Sequence, residues 1–534
     1  MSSESEPTGA GRPFTAAELD ACLKVLESLV DDRAQLAAVS AEDRRRLLLA
    51  AGRVSRPERA EQRELARAFR KRDRRAERSA DAALLDAVGI RVARREPVFR
   101  TPDAPALAPP PASGAPAEPP PASGAPAEPP PASGSPGAPP ERGGPELAKP
   151  RKCYVCKAEF RKVHFFYDAM CTACGDFNYQ KRSQTAPLDG RVALITGARV
   201  KIGYQAAIMM LRAGARVIVT TRFPHDASRR FSAERDFDVW GSRLSIYGLD
   251  LRHTPSVERF TRHLLRTLDR LDFIINNACQ TVRRPPGFYA HLIEGETGPV
   301  HALPAAAQPL LRDYDALRAG GTLPLVAGGD PDAGLREPAL LSQIPGPGDE
   351  PLDDVLFPKG RYDADLQQVD LRAMNSWRLT LAEVPTVELL EVQLVNAVAP
   401  FVLNSRLKPL MMRRPTFDRH IVNVSAMEGQ FYRRYKTDRH PHTNMAKAAL
   451  NMMTRTSAPD YAKDGIFMNS VDTGWVTDED PAALAARKLE EHGFHPPLDI
   501  VDGAARICDP IFSGHLTGQH VYGQFLKDYM PTDW

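Results

Sequence analysis

Apolar positions along the chain fall into two regimes. From about residue 14 to 95 they recur at three- and four-residue steps. In AAELDACLKVLESLV, Leu19, Leu23, Val25, Leu26 and Leu29 follow the period of one buried helical face. Thr15 just ahead of that pattern, with Glu18 three places on, predicts a capping box. From Leu188 to Trp534, short continuous apolar runs alternate with helical periods, the pattern of an α/β unit. There Val192–Ile195 reads as a strand, Tyr204–Arg212 as a helix broken by Gly214, and Arg216–Thr221 as the next strand.

Two different stretches separate these regimes. Residues 101–146 carry PPPASGAPAE at Pro109–Glu118 and again at Pro119–Glu128, then PPPASGSPGA at Pro129–Ala138. Such repeats lack the apolar side chains that offset ordering entropy, which predicts a semi-rigid linker. Its reach is on the order of 140 Å at ~3.1 Å per residue. Residues 150–182 form a small cysteine-rich module: Cys153-x2-Cys156, fourteen residues, then Cys171-x2-Cys174. Two CxxC turns place two thiolate pairs around one tetrahedral shell, the spacing of a structural zinc site. His164 lies between the pairs and is read as non-ligating, since four sulfurs close the shell. A redox dithiol is the rival reading. The neighbouring aromatic residues are expected to pack the knot.

Composition narrows the picture. The 534 residues suggest about three units at ~150 each. A hydrophobic share of 43% with 26% charged is ordinary for a chain with a real core. No run of ~18 apolar residues is evident, which predicts no membrane-spanning helix and no membrane partner. MSSESEPTGAGRPF has no basic-then-apolar signal pattern, so a cytoplasmic location is expected. The net charge of +3 is too small to imply a polyanionic partner for the chain as a whole. Locally, Arg44 to Arg78 holds 14 Arg/Lys against 5 Asp/Glu. That run suits a nucleic-acid or acidic-partner surface. Acids interleaved at helical spacing (Glu64 with Arg67, Asp73 with Glu77 and Arg78) weigh toward a solvated face instead.

The richest chemistry lies in LDGRVALITGARVKIGYQAAIMMLRAGARVIVTTR. A glycine turn between strand and helix lets backbone N–H groups and a helix N-terminus meet a pyrophosphate. Further signals follow in order: Asp250 after a strand, Asn276-Asn277-Ala278 after another, then Ser425 and Lys447. With these motifs the sequence resembles the short-chain dehydrogenase/reductase family, over Leu188–Thr281 and about Met374–Trp534. The family's TGxxxGxG is met by Thr196, Gly197 and Gly203, with Lys201 at its middle glycine, and its NNAG ends here in Cys279.

The resemblance implies a doubly wound parallel-sheet Rossmann fold for residues 188–534, preceded by the four-cysteine zinc module, the Pro-rich linker and the N-terminal helical region. It implies that Ile202 and Gly203 lie beneath the pyrophosphate, with Asp250 and Asn277 on the adenine and ribose side. Gly474 and Thr477 would meet the nicotinamide carboxamide side. NAD-preferring members carry an acid at the end of the second strand, whereas Thr220-Thr221-Arg222 stands here. With Arg222 there, and Arg199 and Lys201 in the turn, NADP(H) is predicted over NAD(H).

By the same resemblance, Asn396, Ser425 and Lys447 occupy three of four catalytic positions. Serine orients a substrate carbonyl, lysine holds the nicotinamide ribose, and asparagine supports a relay water. The fourth, a tyrosine four residues before the lysine, is Thr443 here. Thr443 is a poor general acid, being harder to ionise and shorter than a phenol. His442, Tyr432 and Tyr435 are the available proton donors, and no donor at all is weighed equally. Thr473-Gly474 replaces the family's Pro-Gly, and Trp475 is expected to wall the pocket or pack beneath it. About Val282 to Arg372 is an insertion expected beside the mouth of the site, with Arg283, Arg284, Tyr289 and His291 as lid or substrate residues. The leading expectation is an oxidoreductase acting on a small carbonyl/alcohol substrate, as a homodimer or tetramer by resemblance. The alternative is an NADP(H)-binding sensor or scaffold, its zinc module and basic helices recruiting nucleic acid or protein from a distance.

Overall fold

The computed structural model describes residues 14–104, 145–319, 332–346, 354–432, 436–477, 479–493 and 495–534. Most of the proline-rich repeat, residues 105–144, and Tyr435 therefore lie outside the described residues. The chain divides into two compact units, Met1–Ala80 and Asp81–Trp534.

In the first unit, helices Ala16–Asp31 and Ala41–Ser55 precede Arg59–Asp86, within which the division falls. Thr15 caps the first of these with the expected box, its Oγ1 accepting the Glu18 N–H at 3.2 Å while Glu18 accepts the Thr15 N–H at 2.9 Å. The expected buried face is not formed. Leu19, Leu23 and Val25 are exposed, and the helix has no buried residue. Local capping suffices to shape the helix, but among the described residues its apolar stripe is covered only in part, at Leu26 and Leu29. Along Arg59–Asp86, Arg67, Arg70, Lys71, Arg74, Arg75 and Arg78 recur at three- and four-residue steps and stand exposed on one helical face.

The second unit is built on an eight-stranded sheet. In chain order a hairpin, β1 (Glu146–Lys152) and β2 (Glu159–Lys162), stands apart from it. The sheet strands are β3 (Val192–Thr196), β4 (Arg216–Thr221), β5 (Leu244–Gly248), β6 (Phe273–Asn276), β7 (Arg419–Ser425), β8 (Ile466–Asp472), β9 (Phe525–Lys527) and β10 (Met530–Thr532). They lie in the order β10-β9-β8-β7-β6-β3-β4-β5, all neighbours parallel except β10 on β9. The chain starts at β3, winds outward through β4 and β5, then returns to β6 on the other side. The crevice at a ligand-binding switch point thus opens above β3 and β6. Strands such as VALIT carry a continuous apolar run, Val192–Ile195, because both faces are buried under helices. Helices Lys201–Arg212 and Ile500–Thr517 pack together in one layer, and Thr254–Thr267 with Ala399–Met411 in the other.

The cysteine module is not held at a distance. Leu85, Val88 and Ile90 on one side of the proline-rich stretch, and Leu147, Phe160, Tyr167 and Met170 on the other, share a core with Val476, Leu498, Ile500 and Val501 of the sheet unit. Both flanks of the repeat therefore belong to the same packed unit. Helix Thr172–Arg182 sends Arg182 onto Asp499 at 2.7 Å and Asp502 at 2.9 Å, both buried in the capping box of helix Ile500–Thr517. The Tyr167 hydroxyl donates to Asp502. Cations at an acidic, capped helix start are favoured partners for those carboxylates.

The continuous helical stretch Thr386–Met411 is long and apolar enough, by length and composition, to cross a membrane. Leu403, Leu407 and Leu410 on it are fully buried in the sheet core.

Candidate active site

The turn after β3 is shaped by two glycines. Gly197 has φ +67°, and a Cβ there would lie 2.7 Å from Ala278 Cα. A Cβ on Gly203 would meet Asn277 Nδ2 at 2.2 Å. Asn277 uses that amide to donate to the carbonyls of Thr196 (3.0 Å) and Gly197 (3.1 Å), stapling the exits of β3 and β6 together. Lys201, at the middle glycine's position, opens the helix with φ +57°, the left-handed conformation a glycine would adopt freely.

Above this turn lies a cavity of about 350 Å³. Its lining includes Gly197, Arg199, Ile202, Gly203, Arg222, Asp250, Asn277 and Thr477 of the predicted coenzyme residues; Gly474 is not among them. Arg222 donates to the Tyr289 hydroxyl at 2.7 Å and lies over its ring. Burial opposes ionisation of that phenol, but the Arg222 and Arg284 guanidinia pull its pKa below the ordinary tyrosine value. The charge assigned to Arg199 is balanced: its guanidinium pairs with Asp226 at 2.6 Å and donates to Gln367 at 2.9 Å. Asp250 is buried and gripped by Arg252 at 2.7 Å, which also reaches Glu391 at 2.8 Å. Burial disfavours the Asp250 carboxylate, yet Arg252 outweighs it and holds the group below the usual range. Thr477 donates to Glu479, a second lining residue, at 2.8 Å.

None of the positions expected to be catalytic is in the cavity lining. Asn396 sits in a π-helical turn, Leu394–Val398, a distortion often found at functional sites. It grips the Gln280 backbone twice, accepting the N–H at 2.8 Å and donating to the carbonyl at 3.1 Å, and Gln280 lines the cavity. Ser425, ending β7, donates to Asn451 Oδ1 at 2.6 Å. Lys447 is buried and donates to the Val424 carbonyl at 2.8 Å. Thr443, one helical turn before Lys447, is buried with no hydrogen-bond partner for its hydroxyl among the described residues.

Of the proposed donors, His442 is buried with neither ring nitrogen hydrogen-bonded among the described residues, and its Nε2 lies 3.8 Å from Glu388. Burial, then His440, pushes its pKa down to about 4. It therefore faces helix Thr386–Gln393 as a neutral ring. Tyr432 is exposed. The lid candidates divide: Arg283, Arg284 and Tyr289 line the cavity, whereas His291 does not and lies tilted against the Tyr362 ring at 5.2 Å. Trp475 is also outside the lining; its N–H donates to Tyr154 at 3.1 Å.

Several residues of this region escaped the sequence reading. Asn451 lies four residues after Lys447, on the face already carrying Thr443, so helical period alone would have found it. Asn276 donates to Asn404 and Asn423, both at 2.8 Å, and Asn423 to Thr454 at 2.9 Å, a buried polar ladder under the site. No spacing rule connects these.

The four cysteine Sγ atoms lie within 4.8 Å of one another, with Cys156 and Cys171 3.8 Å apart. Four thiolates at ~2.3 Å from one ion would stand about 3.8 Å apart, so the set fits tetrahedral zinc. His164 is turned away: its Nδ1 accepts the N–H groups of Phe166 and Tyr167, and Nε2 faces Asp176.

Comparison with known proteins accords with this geometry. A family model described as short chain dehydrogenase matches residues 191–290, and one described as Enoyl-(Acyl carrier protein) reductase matches 373–494. "Uncharacterized protein R665" of Acanthamoeba polyphaga mimivirus is 30% identical over 378 residues, 68% of this chain and 71% of that protein. Fatty acyl-CoA reductase of Acinetobacter baylyi is 33% identical over 95 residues, 18% of this chain and 31% of its own. Retinol dehydrogenase 12 of Bos taurus is 33% identical over 117 residues, covering 21% and 36%. The chain thus spans only about a third of these two enzymes. Among solved structures, the Pseudomonas aeruginosa RhlG/NADP active-site complex aligns with TM-score 0.40 and 17% identity over 64% of this chain and 94% of that one. The sheet order, the glycine turn and the two matched family models make one statement: the chain belongs to the short-chain dehydrogenase/reductase family.

Proposed function

We propose that this protein is an NADP(H)-dependent oxidoreductase that moves hydride between the coenzyme and a small carbonyl/alcohol substrate. The observation that carries this reading is the cavity above β3 and β6, walled on one side by a glycine cradle that any side chain would fill and on another by Arg222. Among the described residues Arg222 hydrogen-bonds a phenol, while the Asp250 carboxylate that feels its charge is gripped by Arg252, which leaves the Arg222 guanidinium suited to a 2′-phosphate. The bound coenzyme would supply the hydride donor or acceptor. Ser425 would orient the substrate oxygen, Lys447 would swing from the Val424 carbonyl to the coenzyme ribose, and Asn396 would hold Gln280 against the nicotinamide side. Cys153, Cys156, Cys171 and Cys174 would hold a structural zinc ion. Leu390 and Phe401 on Thr386–Met411, and Met445 and Met452 on Pro441–Lys463, are exposed apolar residues suited to a second copy of the chain.

The alternative is a coenzyme-binding sensor without turnover. It is favoured by the proton-transfer corner, where Thr443 replaces a phenol and neutral His442 points elsewhere. In that role the exposed cationic face of Arg59–Asp86 would recruit a polyanion such as nucleic acid. Titrating the protein with NADPH and NADH, then assaying NADPH oxidation with aldehydes, ketones and quinones, separates the two readings. Preferential NADPH binding with turnover supports the enzyme. NADPH binding without turnover on the panel supports the sensor, and no binding of either coenzyme refutes both.

A further inference from the structure

The cysteine module touches the proposed coenzyme site through one side chain. Tyr154 stands between Cys153 and Cys156, its own N–H donating to the Ala169 carbonyl at 2.7 Å. Its hydroxyl accepts the backbone N–H of Trp475 at 3.1 Å. Trp475 belongs to the loop that leaves β8 and leads to Thr477 on the cavity wall.

That loop is clamped from several directions. Gly474 adopts φ +76°, and a Cβ on it would lie 2.4 Å from Leu498 and 3.1 Å from the Tyr154 hydroxyl. A residue with a side chain would therefore push the loop off the module. Val476 is buried in the core shared with Cys153 and Leu498, and Tyr154 packs against the same cluster. Ile202, from the cradle helix, packs against this core too, so the module backs both the turn and the exit loop. Lys527 completes the clamp: its ammonium lies 5.6 Å from the Tyr154 ring and pairs at 3.1 Å with Asp472, the last residue of β8.

We infer that Tyr154 is a positioning residue for the coenzyme site, and that metal binding by the four cysteines sets coenzyme affinity by holding Tyr154 against the Trp475 N–H. This rests on the coenzyme-binding reading above. Cys153 is anchored in the shared core whereas Cys156 is exposed, so closing the loop that carries Tyr154 would fall to metal–thiolate bonds. When the CxxC loop relaxes, the Trp475 amide loses its acceptor and the Gly474–Thr477 segment loses its wall.

The test uses the full chain, with Tyr154→Phe keeping the ring and removing only the hydroxyl. Zinc per chain, NADPH affinity and hydrogen exchange at the Trp475 amide are measured before and after chelation, and again after zinc is restored. Loss of one hydrogen bond predicts roughly five-fold weaker NADPH binding in Tyr154→Phe, with zinc content and melting temperature unchanged. Trp475 exchange should accelerate in the variant and, reversibly, in chelated wild type, where NADPH affinity should fall at least as far. Slow Trp475 exchange in both, with intact NADPH binding, would overturn the inference and leave the coenzyme reading standing. A purified chain without bound zinc would overturn it as well. Wild type that binds neither coenzyme, yet shows the exchange response, would sink the coenzyme reading and reduce Tyr154 to a structural contact.

Discussion

The coenzyme half and the proton-transfer corner of the same unit are built to different standards. Around the turn, geometry is kept even where the sequence departs: Lys201 adopts the left-handed backbone of the glycine it replaces. Asn277 still ties both strand exits, and Asp250, Arg252, Glu391 and Arg283 close a charge-balanced wall. Around Ser425 the residues are present but turned to one another. Serine is spent on Asn451, lysine on a carbonyl, and the Thr443 hydroxyl has no described partner. Backbone conformation and paired charges hold a binding cradle in place before a ligand arrives. A reaction centre needs groups free to exchange partners when the reactants enter. Of the two proposed properties, binding is thus the more firmly encoded.

The largest change is expected from Lys447→Ala. If the corner is catalytic, turnover should fall on the order of 100-fold or more, while NADPH affinity changes much less. Equal turnover in the variant would empty the corner of catalytic meaning. Gly203→Val attacks the other half: with a Cβ on Asn277, coenzyme affinity should drop about 100-fold, read by quenching or enhancement of NADPH fluorescence. Unaltered binding would mean the cradle is not where the coenzyme lies.

Arg222→Leu should weaken NADPH about ten-fold or more while sparing NADH, the size expected for a charge-assisted hydrogen bond. Parallel losses for both coenzymes would reassign Arg222 to general support. The smallest effect concerns His442. Burial and His440 hold its pKa near 4, below the ordinary 6.5, so the unfolded chain protonates first. Above pH 6.5 this group makes no difference; as pH falls toward 4 it costs stability. Melting curves should therefore fall more steeply with acid in wild type than in His442→Gln, by on the order of a few degrees. Superimposable slopes would show that His442 titrates normally.

Much of the sheet was legible because a fully buried parallel strand has one requirement, an uninterrupted apolar run, and Val192–Ile195 meets it without outside help. The glycine turn was legible for a similar reason: only backbone freedom permits it. The partners of charged residues were not. Arg199 read as free turn charge, yet Asp226, on the helix after β4, neutralises it. His442 is adjacent to Thr443 in sequence but about 100° away around the helix, which sends it toward Glu388. The docked cysteine module was hidden by the proline-rich repeat, since composition reveals stiffness and says nothing of where the two flanks return. The apolar stripe of Ala16–Asp31 misled in the opposite sense, because periodicity announces a helix without guaranteeing anything to bury it against.

Arg182 and its partner Asp499 are separated by 317 positions along the chain. During synthesis the small cysteine module emerges 317 positions ahead of the acidic helix start that receives it. Until then its cationic edge and Tyr167 have no dock, and closing so long a loop is entropically slow. Any change that removes Ile500–Thr517 would thus strand the distant module as well as the sheet edge.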